Sequence, residues 1–314
     1  MSERDPAAAA ISPVRTYAML VFVTLLWSGN SIIARAIHAD IPPFTLAFCR
    51  WAGALLLLAP FAARHIRTDG AEIRHSWRII LILGVIGIGC FNAFLYSGLR
   101  YTTASNGLLI QAAIPALVLL LNRIFFSVRS HWGAVAGVMI AAAGVLTIIF
   151  RADPAALMAL RFGKGDALVL CSVLAWGLYT VLLRLRPAIH PLSLLAVTFL
   201  IGALTMAPLS LYELTHEGMR PTTGVLLGIL YVAIFPSIIA YALFTRAVAE
   251  IGAGAAGQMI SLQPLFGALL AAPLLGEALH RYHLGGMTLI VLGIALPLIM
   301  RPIASDRPDP ARSR

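Results

Sequence analysis

Ten stretches of about 20 predominantly apolar residues make up most of this 314-residue chain. A helix needs about 20 such residues to cross the hydrocarbon core of a bilayer. The chain is 60% hydrophobic and 11% charged, whereas soluble domains carry about 25% charged residues. The composition therefore excludes a cytosolic enzyme, a disordered chain and a nucleic-acid-binding domain. It predicts an all-α integral membrane protein with ten transmembrane helices.

The connections between the predicted helices are short, apart from two charged segments at 64–78 and 151–165. The expected helices are 17–37, 44–63, 79–99, 103–125, 131–150, 166–185, 191–212, 223–245, 252–276 and 282–300. The expected organisation is a cytoplasmic N-terminal tail, a first five-helix unit, an external linker, a second five-helix unit and a cytoplasmic C-terminal tail, at 1–16, 17–150, 151–165, 166–300 and 301–314.

An internal repeat relates the two halves of the chain. Trp27 and Trp176 lie 149 positions apart (176 − 27). The same interval pairs Arg35 with Arg184, Gly53 with Gly202, Pro115 with Pro264 and His131 with His280. Because each unit has an odd number of helices, the second unit is expected to be inverted in the membrane. Inverted repeats around a central cavity are typical of transporters that work by alternating access.

The basic residues predict the orientation of the chain. Its net charge is +10, and about twice as many basic residues flank the spans on the side of the two termini as on the other side. Cytoplasmic loops carry an excess of Lys and Arg, so both termini are expected in the cytoplasm and the chain in a bacterial inner membrane. The positive charge is then explained by topology and requires no nucleic-acid partner.

Several sequence motifs occur in a characteristic order. Leu25–Asn30 reads LLWSGN, and Pro43 and Phe44 are followed by Arg50 in the second predicted helix. The third and fourth helices contain Tyr96–Ser105 (YSGLRYTTAS) and then Pro115. The ninth and tenth contain Gln263–Phe266 (QPLF), Leu275–Glu277 (LGE), Gly285, Gly286 and Gly293. In this order the motifs resemble the drug/metabolite transporter superfamily, EamA type, over about residues 17–300.

The resemblance implies a ten-helix permease that exports amino acids or other small metabolites, with the aromatic amino-acid exporters as one candidate branch. One departure is clear. Where the first repeat of this family often carries Gly-Glu, this chain has Ser127 and Val128. The contact made by the glutamate at that end is therefore expected only once, from Glu277.

No carboxylate falls at the centre of a predicted helix, since the acids lie in loops, in tails or at helix ends. Ionisable groups inside a bilayer are costly and usually functional, so a proton relay through the midplane is disfavoured and facilitated diffusion is the simpler mechanism. A proton-coupled antiporter and an exporter of nucleosides or drug-like cations remain alternatives. A channel or a membrane-embedded enzyme is least favoured, because neither charged pore rings nor a nucleophile–base pair occurs at depth.

Three residues stand out by position. Arg50 is the only basic residue well inside a predicted span, and it is a candidate for attracting a substrate carboxylate; the alternative is a structural arginine that snorkels to the interface. Pro115 and Pro264 lie near the middle of the fourth and ninth spans. A proline inside a helix frees the carbonyl four residues earlier. Both prolines are therefore candidate hinges, the alternative being kinks that serve only packing.

The other substrate-binding candidates are polar or aromatic residues near helix centres. Their neutral acceptors and ring faces could hold the ammonium group of an amino acid, although core packing would explain them equally. They are Trp27, Ser28, Asn30, Asn92, Tyr96, Gln111, Trp176, Tyr179, Ser237, Tyr241, Gln258, Ser261 and Gln263.

The sequence predicts no cofactor and no metal site. The three cysteines, Cys49, Cys90 and Cys171, lie in apolar stretches without CxxC spacing, and the eight histidines fall at helix ends or in loops. The expected partners are a small-molecule substrate and the lipid bilayer, with no nucleic acid. A monomer is compatible with the sequence.

Overall fold

The computed structural model describes residues 13–102, 110–151, 153, 163–275 and 279–300. These residues contain helices, turns and loops but no β-strand. Most of the expected linker at 151–165, both tails up to residue 12 and from residue 301, and the motif residues Ser105 and Glu277 lie outside the described residues.

The first half consists of helices with one π-helical segment between them. Helix α2 begins at a proline, which suits the first turn because the N–H of that position needs no helical partner. The elements are α1 (Pro13–Ala36), α2 (Pro43–His75), α3 (Trp77–Gly84), the first π segment (Val85–Cys90), α4 (Phe91–Leu99), α5 (Ile114–Phe126) and α6 (Trp132–Ile149).

The second half has a similar succession of elements. They are α7 (Lys164–Leu182), a 3-10 turn (Leu183–Leu185), α8 (Pro191–His216), α9 (Thr223–Ala233), the second π segment (Ile234–Ile239), α10 (Ala240–Met259), a 3-10 turn (Ile260–Leu262), α11 (Gln263–Leu275) and α12 (Arg281–Met300). Helix α10 is interrupted at Gly252, whose φ of 84° is not helical. The interruption agrees with the predicted start of the ninth span at residue 252.

Seven helical runs among the described residues are long and apolar enough to cross a bilayer. One of them, Thr223–Leu274, is 52 residues long and contains the Gly252 break. Helix α5 is apolar but has only 13 residues. The chain is thus an all-α, multi-pass membrane protein, whereas the full set of ten spans stays a prediction.

Helix α2 is longer than the sequence predicted. The charged segment 64–78 was expected to connect two spans, yet the helix continues to His75 and covers 33 residues. Asp69 in this extension accepts hydrogen bonds from the backbone N of His190 (2.9 Å) and from Ser193 Oγ (2.7 Å). The extension is therefore held against the start of α8, a contact that hydropathy does not reveal.

Four elements of the second half begin 149 residues after an element of the same kind in the first half. The two π segments begin at 85 and 234, and the helices that follow them begin at 91 and 240. Helices α5 and α11 begin at 114 and 263, and α6 and α12 at 132 and 281. The breaks in the helical backbone therefore recur at the interval that the sequence repeats.

Helices α6 and α12 are in backbone contact through glycines. A Cβ atom on Gly137 would overlap the carbonyl oxygen of Gly293, and one on Gly286 would overlap the carbonyl oxygen of Gly144. Small residues allow helices in membranes to approach this closely. The two helices form one tightly joined pair.

Candidate substrate site

Arg50 lies in the second turn of α2 and is almost completely buried, with 6% of its surface exposed. Its Nε donates to Ser237 Oγ (2.6 Å), and Nη2 donates to the Pro236 carbonyl oxygen (3.2 Å). The guanidinium also lies 4.3 Å above the Trp51 ring and bonds to the Tyr96 side chain. Among the described residues no carboxylate forms an ion pair with it. Within the described ranges, Arg50 is therefore a buried cation whose contacts are dipoles and an aromatic ring.

The second π segment creates the surroundings of Arg50. Pro236 has no N–H to donate to the preceding turn, and the chain forms a wider turn there. Ser237 Oγ instead donates to the carbonyl oxygen of Val232 (2.7 Å), and it accepts from Arg50 at the same time. The Pro236 carbonyl accepts from both Arg50 and Trp27 Nε1 (3.0 Å). Isolated π turns are frequent at functional sites.

A cluster of aromatic rings fills the space next to Arg50. The Trp27 and Trp176 centroids lie 5.2 Å apart with planes at 86°, and Tyr241 lies 5.9 Å from both rings at 72° and 88°. Tyr241 is also 5.3 Å from Trp51. These edge-to-face contacts join α1, α2, α7 and α10 at one point. Residues from both halves of the chain thus meet at the candidate site.

Two indole N–H groups in this cluster find no hydrogen-bond partner in the part of the chain that the structure describes. Trp51 is fully buried and Trp176 is 4% exposed, yet neither Nε1 atom bonds to any described residue. An unpaired buried donor costs about 1–3 kcal/mol, and such groups require an explanation. Each of them could be satisfied by a ligand atom that accepts a hydrogen bond.

Seven of the predicted site residues contact one another in this cluster. Arg50 links Tyr96 and Ser237, and Tyr179 lies 5.3 Å from Trp176 and 6.0 Å from Tyr241. The joined residues are Trp27, Arg50, Tyr96, Trp176, Tyr179, Ser237 and Tyr241.

The other predicted residues make different contacts. Ser28 donates to the carbonyl oxygen of Gln263 (3.0 Å), which connects α1 to α11. Asn92 bonds to the Ile88 carbonyl of the first π segment (2.6 Å). Gln258 donates to the Gly293 carbonyl (2.8 Å) and so supports the packing of α12. Asn30 and Gln111 are half-buried, as is Gln263, and Ser261 is buried.

The sequence predicted Pro115 and Pro264 near the middle of two helices, but the structure places them elsewhere. Each is the second residue of a helix, α5 or α11. The first turn accepts proline without losing a hydrogen bond, so the chain breaks before the proline rather than bending at it. A 3-10 turn, Ile260–Leu262, forms the break before α11. The expected kinks are in fact helix boundaries.

Sequence reasoning missed three components of the site. Trp51 was overlooked although it is a mid-span aromatic residue next to Arg50. Pro236 offered a signal, since a proline in an apolar run predicts an irregular turn. Phe199, 5.1 Å from Trp51 and 6.0 Å from Tyr241, gave no signal that separates it from other core residues.

A second buried polar network lies at one end of α8. Glu213 has no exposed side-chain surface and accepts from the Thr45 backbone N (2.7 Å) and Thr45 Oγ1 (3.1 Å). It also pairs with Arg100, which lies 3.2 Å from Glu217. The sequence placed Glu213 correctly near a helix end but did not reveal its burial. Asp69 likewise accepts from a backbone N–H and a hydroxyl, but His190 supplies the first and Ser193 the second.

Comparison with protein families gives two matches within this chain. A model described as the EamA-like transporter family matches residues 14–150 and again residues 163–299. The two matched segments begin 149 positions apart (163 − 14). The same model therefore matches both halves at the interval found in the sequence and in the helix boundaries.

Several relatives of this chain are named as transporters. It is 27% identical over 282 residues to the uncharacterized transporter YyaM of Bacillus subtilis, covering 88% of this chain and 92% of that protein. An uncharacterized transporter of Archaeoglobus fulgidus is 25% identical over 291 residues, covering 90% and 96%. A crystal structure superposes with a TM-score of 0.75 at 20% identity, covering 92% of this chain and 98% of the other. The last match supports the fold alone.

Proposed function

The chain belongs to the EamA-like transporter family, and we propose that it exports small polar metabolites, first of all amino acids, by alternating access. In this proposal two inverted five-helix repeats surround a central site formed by Arg50, Trp27, Trp176 and Tyr241. The chain lies in a bacterial inner membrane with both termini in the cytoplasm. The matched family segments and the recurring helix boundaries support the repeat.

The observation that carries the proposal is the burial of Arg50 without an acidic partner among the described residues. A buried charge is costly unless it is paired. A protein that only needed a packed core would gain stability from an apolar residue at this position. A substrate carboxylate supplies the missing countercharge, and bidentate pairing suits the guanidinium geometry.

The mechanism proposed is facilitated diffusion. The described acids lie near helix ends, and those that are buried there are already bonded: Glu213 to Thr45 and Arg100, and Asp166 to Thr102 and the Gly163 backbone N. A carboxylate that loads and releases protons at the centre is not among the described residues. The substrate's own gradient is then the driving force. A proton-coupled antiporter is the alternative that the test must separate.

Counterflow in proteoliposomes tests the proposal. Vesicles containing the purified protein are loaded with an unlabelled amino acid, and uptake of the labelled one is measured across the twenty amino acids. We expect exchange at carrier-like rates for at least one of them, with no uphill accumulation when one side is acidified. Uphill accumulation driven by the pH gradient would overturn facilitated diffusion, and a large conductance without exchange would overturn the carrier.

Replacing Arg50 tests the role of the buried cation. Arg50→Gln keeps hydrogen-bond donors but removes the charge, and we expect exchange to fall at least about tenfold, the effect of losing one charge-assisted bond. Arg64→Gln is the matched control, because Arg64 is exposed on the same helix. If both variants transport like the parent protein at equal reconstituted amounts, Arg50 has only a structural role.

A further inference from the structure

The groups around Arg50 differ sharply in hydrogen-bonding character. The unsatisfied groups are donors, namely the Nε1 atoms of Trp51 and Trp176. Arg50 carries five N–H donors and no acceptor, and bonds to Ser237, Pro236 and Tyr96 use three of them. The centre thus lacks hydrogen-bond acceptors rather than donors.

Three backbone carbonyls near the centre already accept hydrogen bonds from side chains. The Pro236 carbonyl accepts from Trp27 and Arg50, and the Val232 carbonyl accepts from Ser237. The carbonyl of Gln263 accepts from Ser28. An ammonium group has three donors and no acceptor. At these three carbonyls it would have to share the oxygen with a side chain that already donates to it.

The aromatic rings also leave few open faces for a cation–π contact with an ammonium group. The Trp51 face is covered by the Arg50 guanidinium at 4.3 Å. Trp27, Trp176 and Tyr241 pack edge to face at centroid distances of 5.2 to 5.9 Å. A cation–π contact needs a cation over an accessible ring face. Arg50 itself would also repel a second cation.

We infer that this site recognises organic monocarboxylates by their anionic group and does not require an ammonium group. The carboxylate would pair with Arg50 and accept from the Trp51 and Trp176 indoles. Amino acids would be transported as one subset of carboxylic acids, and amines without a carboxylate would be excluded. The inference rests on the proposed carrier function and specifies the substrate class of the same site.

Three compounds with one phenyl side chain separate the two charged groups. L-phenylalanine has both groups, 3-phenylpropionate has only the carboxylate, and phenethylamine has only the amine. Each labelled compound is offered to proteoliposomes at pH 7.5, preloaded with the same unlabelled compound, and protein-free liposomes correct for passive permeation. We expect protein-dependent exchange of 3-phenylpropionate at least as fast as that of phenylalanine, and none of phenethylamine.

The outcomes distinguish the inference from the proposed function. Exchange of phenylalanine without 3-phenylpropionate would show that the ammonium group is required, which overturns the inference and leaves the carrier in place. Exchange of phenethylamine would also overturn the inference. If neither these three compounds nor any of the twenty amino acids exchanges, both the inference and the proposed function are wrong.

The indole donors provide a second test. Trp51→Phe and Trp176→Phe keep an aromatic ring but remove the N–H group, and each should weaken 3-phenylpropionate binding about tenfold, as expected for a bond to a charged acceptor. Binding is measured by equilibrium dialysis of the labelled acid with detergent-solubilised protein. Trp77→Phe is the control, because Trp77 is 53% exposed. Unchanged affinity in both site variants, with folding confirmed by thermal unfolding, would contradict a carboxylate contact with the indoles.

Discussion

Glu213 and Asp69 occupy comparable positions on neighbouring helices but have different surroundings. Glu213, near the end of α8, accepts from a backbone N–H and a hydroxyl at the start of α2. Asp69, near the end of α2, accepts from a backbone N–H and a hydroxyl at the start of α8. The N-terminus of a helix carries a partial positive charge, so an acid there is stabilising. Glu213 is fully buried and paired with Arg100, whereas Asp69 is half-buried. The two acids should therefore differ in their contribution to stability.

Neutralising each acid separates these contributions. Glu213→Gln removes the charge from a buried acceptor of three hydrogen bonds and should lower the free energy of unfolding by about 1.5–3 kcal/mol, the contribution of a bond to a charged group. Asp69→Asn keeps an acceptor oxygen near solvent, so its effect on stability should be smaller than that of Glu213→Gln. Thermal unfolding in detergent measures both. Equal shifts in Tm would show that the burial of Glu213 does not increase its contribution to stability.

At the level of secondary-structure elements, the second π segment holds the site together. It contains Pro236, which has no N–H, and the hydroxyl of the next residue, Ser237, bonds to Val232 and to Arg50. The first π segment has Gly87 at the corresponding position, where a Cβ atom would overlap the Tyr179 ring. One segment therefore provides polar contacts, and the other provides room for an aromatic side chain.

Restoring the N–H at position 236 should convert the π turn towards regular α-helix. Pro236→Ala is expected to move the carbonyl that binds Trp27 and Arg50, and thus to lower exchange at least about fivefold. Stability should be unchanged or higher, because alanine is the better helix former by about 3 kcal/mol. Pro208→Ala, which changes a proline inside α8, is the control. Loss of stability without loss of exchange would contradict the role given to the π segment.

Alanine substitutions at two glycines, one in the contact between α6 and α12 and one in α2, should change stability in opposite directions. Gly137→Ala places a methyl group against the Gly293 carbonyl and should destabilise the protein by about 1–3 kcal/mol through overpacking. Gly70→Ala has nothing within 4 Å of its Cβ and should stabilise α2 by about 0.5–1 kcal/mol. Differential scanning fluorimetry compares the two. Shifts of the same sign would show that the helices do not meet as closely as described.

At the scale of the whole molecule, the sequence predicted the helical class and many helix positions because apolar length and Pro or Gly breaks act locally. It also placed Arg50, Trp27, Trp176 and Tyr241 among the site residues. It could not predict the partners of Arg50, since these depend on how the second π segment packs against α2. The helical extension of α2 to His75 was missed for the same reason, because Asp69 is held by residues of α8 more than 100 positions away.

The unbalanced charge of Arg50 makes the proposed transport cycle sensitive to voltage. An empty carrier moves one positive charge between the two sides, whereas a carrier with a bound monocarboxylate is neutral at this site. A membrane potential acts on a moved charge with about 2.3 kcal/mol per 100 mV. A potential that is negative inside pulls the empty carrier back towards the cytoplasmic side.

Net export and exchange should therefore respond differently to an imposed potential. Efflux from proteoliposomes should accelerate when valinomycin and a potassium gradient make the interior negative, because each cycle includes the return of the empty carrier. Exchange, in which the carrier stays loaded, should not respond. In Arg50→Gln vesicles any remaining efflux should lose its voltage dependence. Through this one side chain, the membrane potential would add to the substrate's own gradient in driving carboxylates out of the cell.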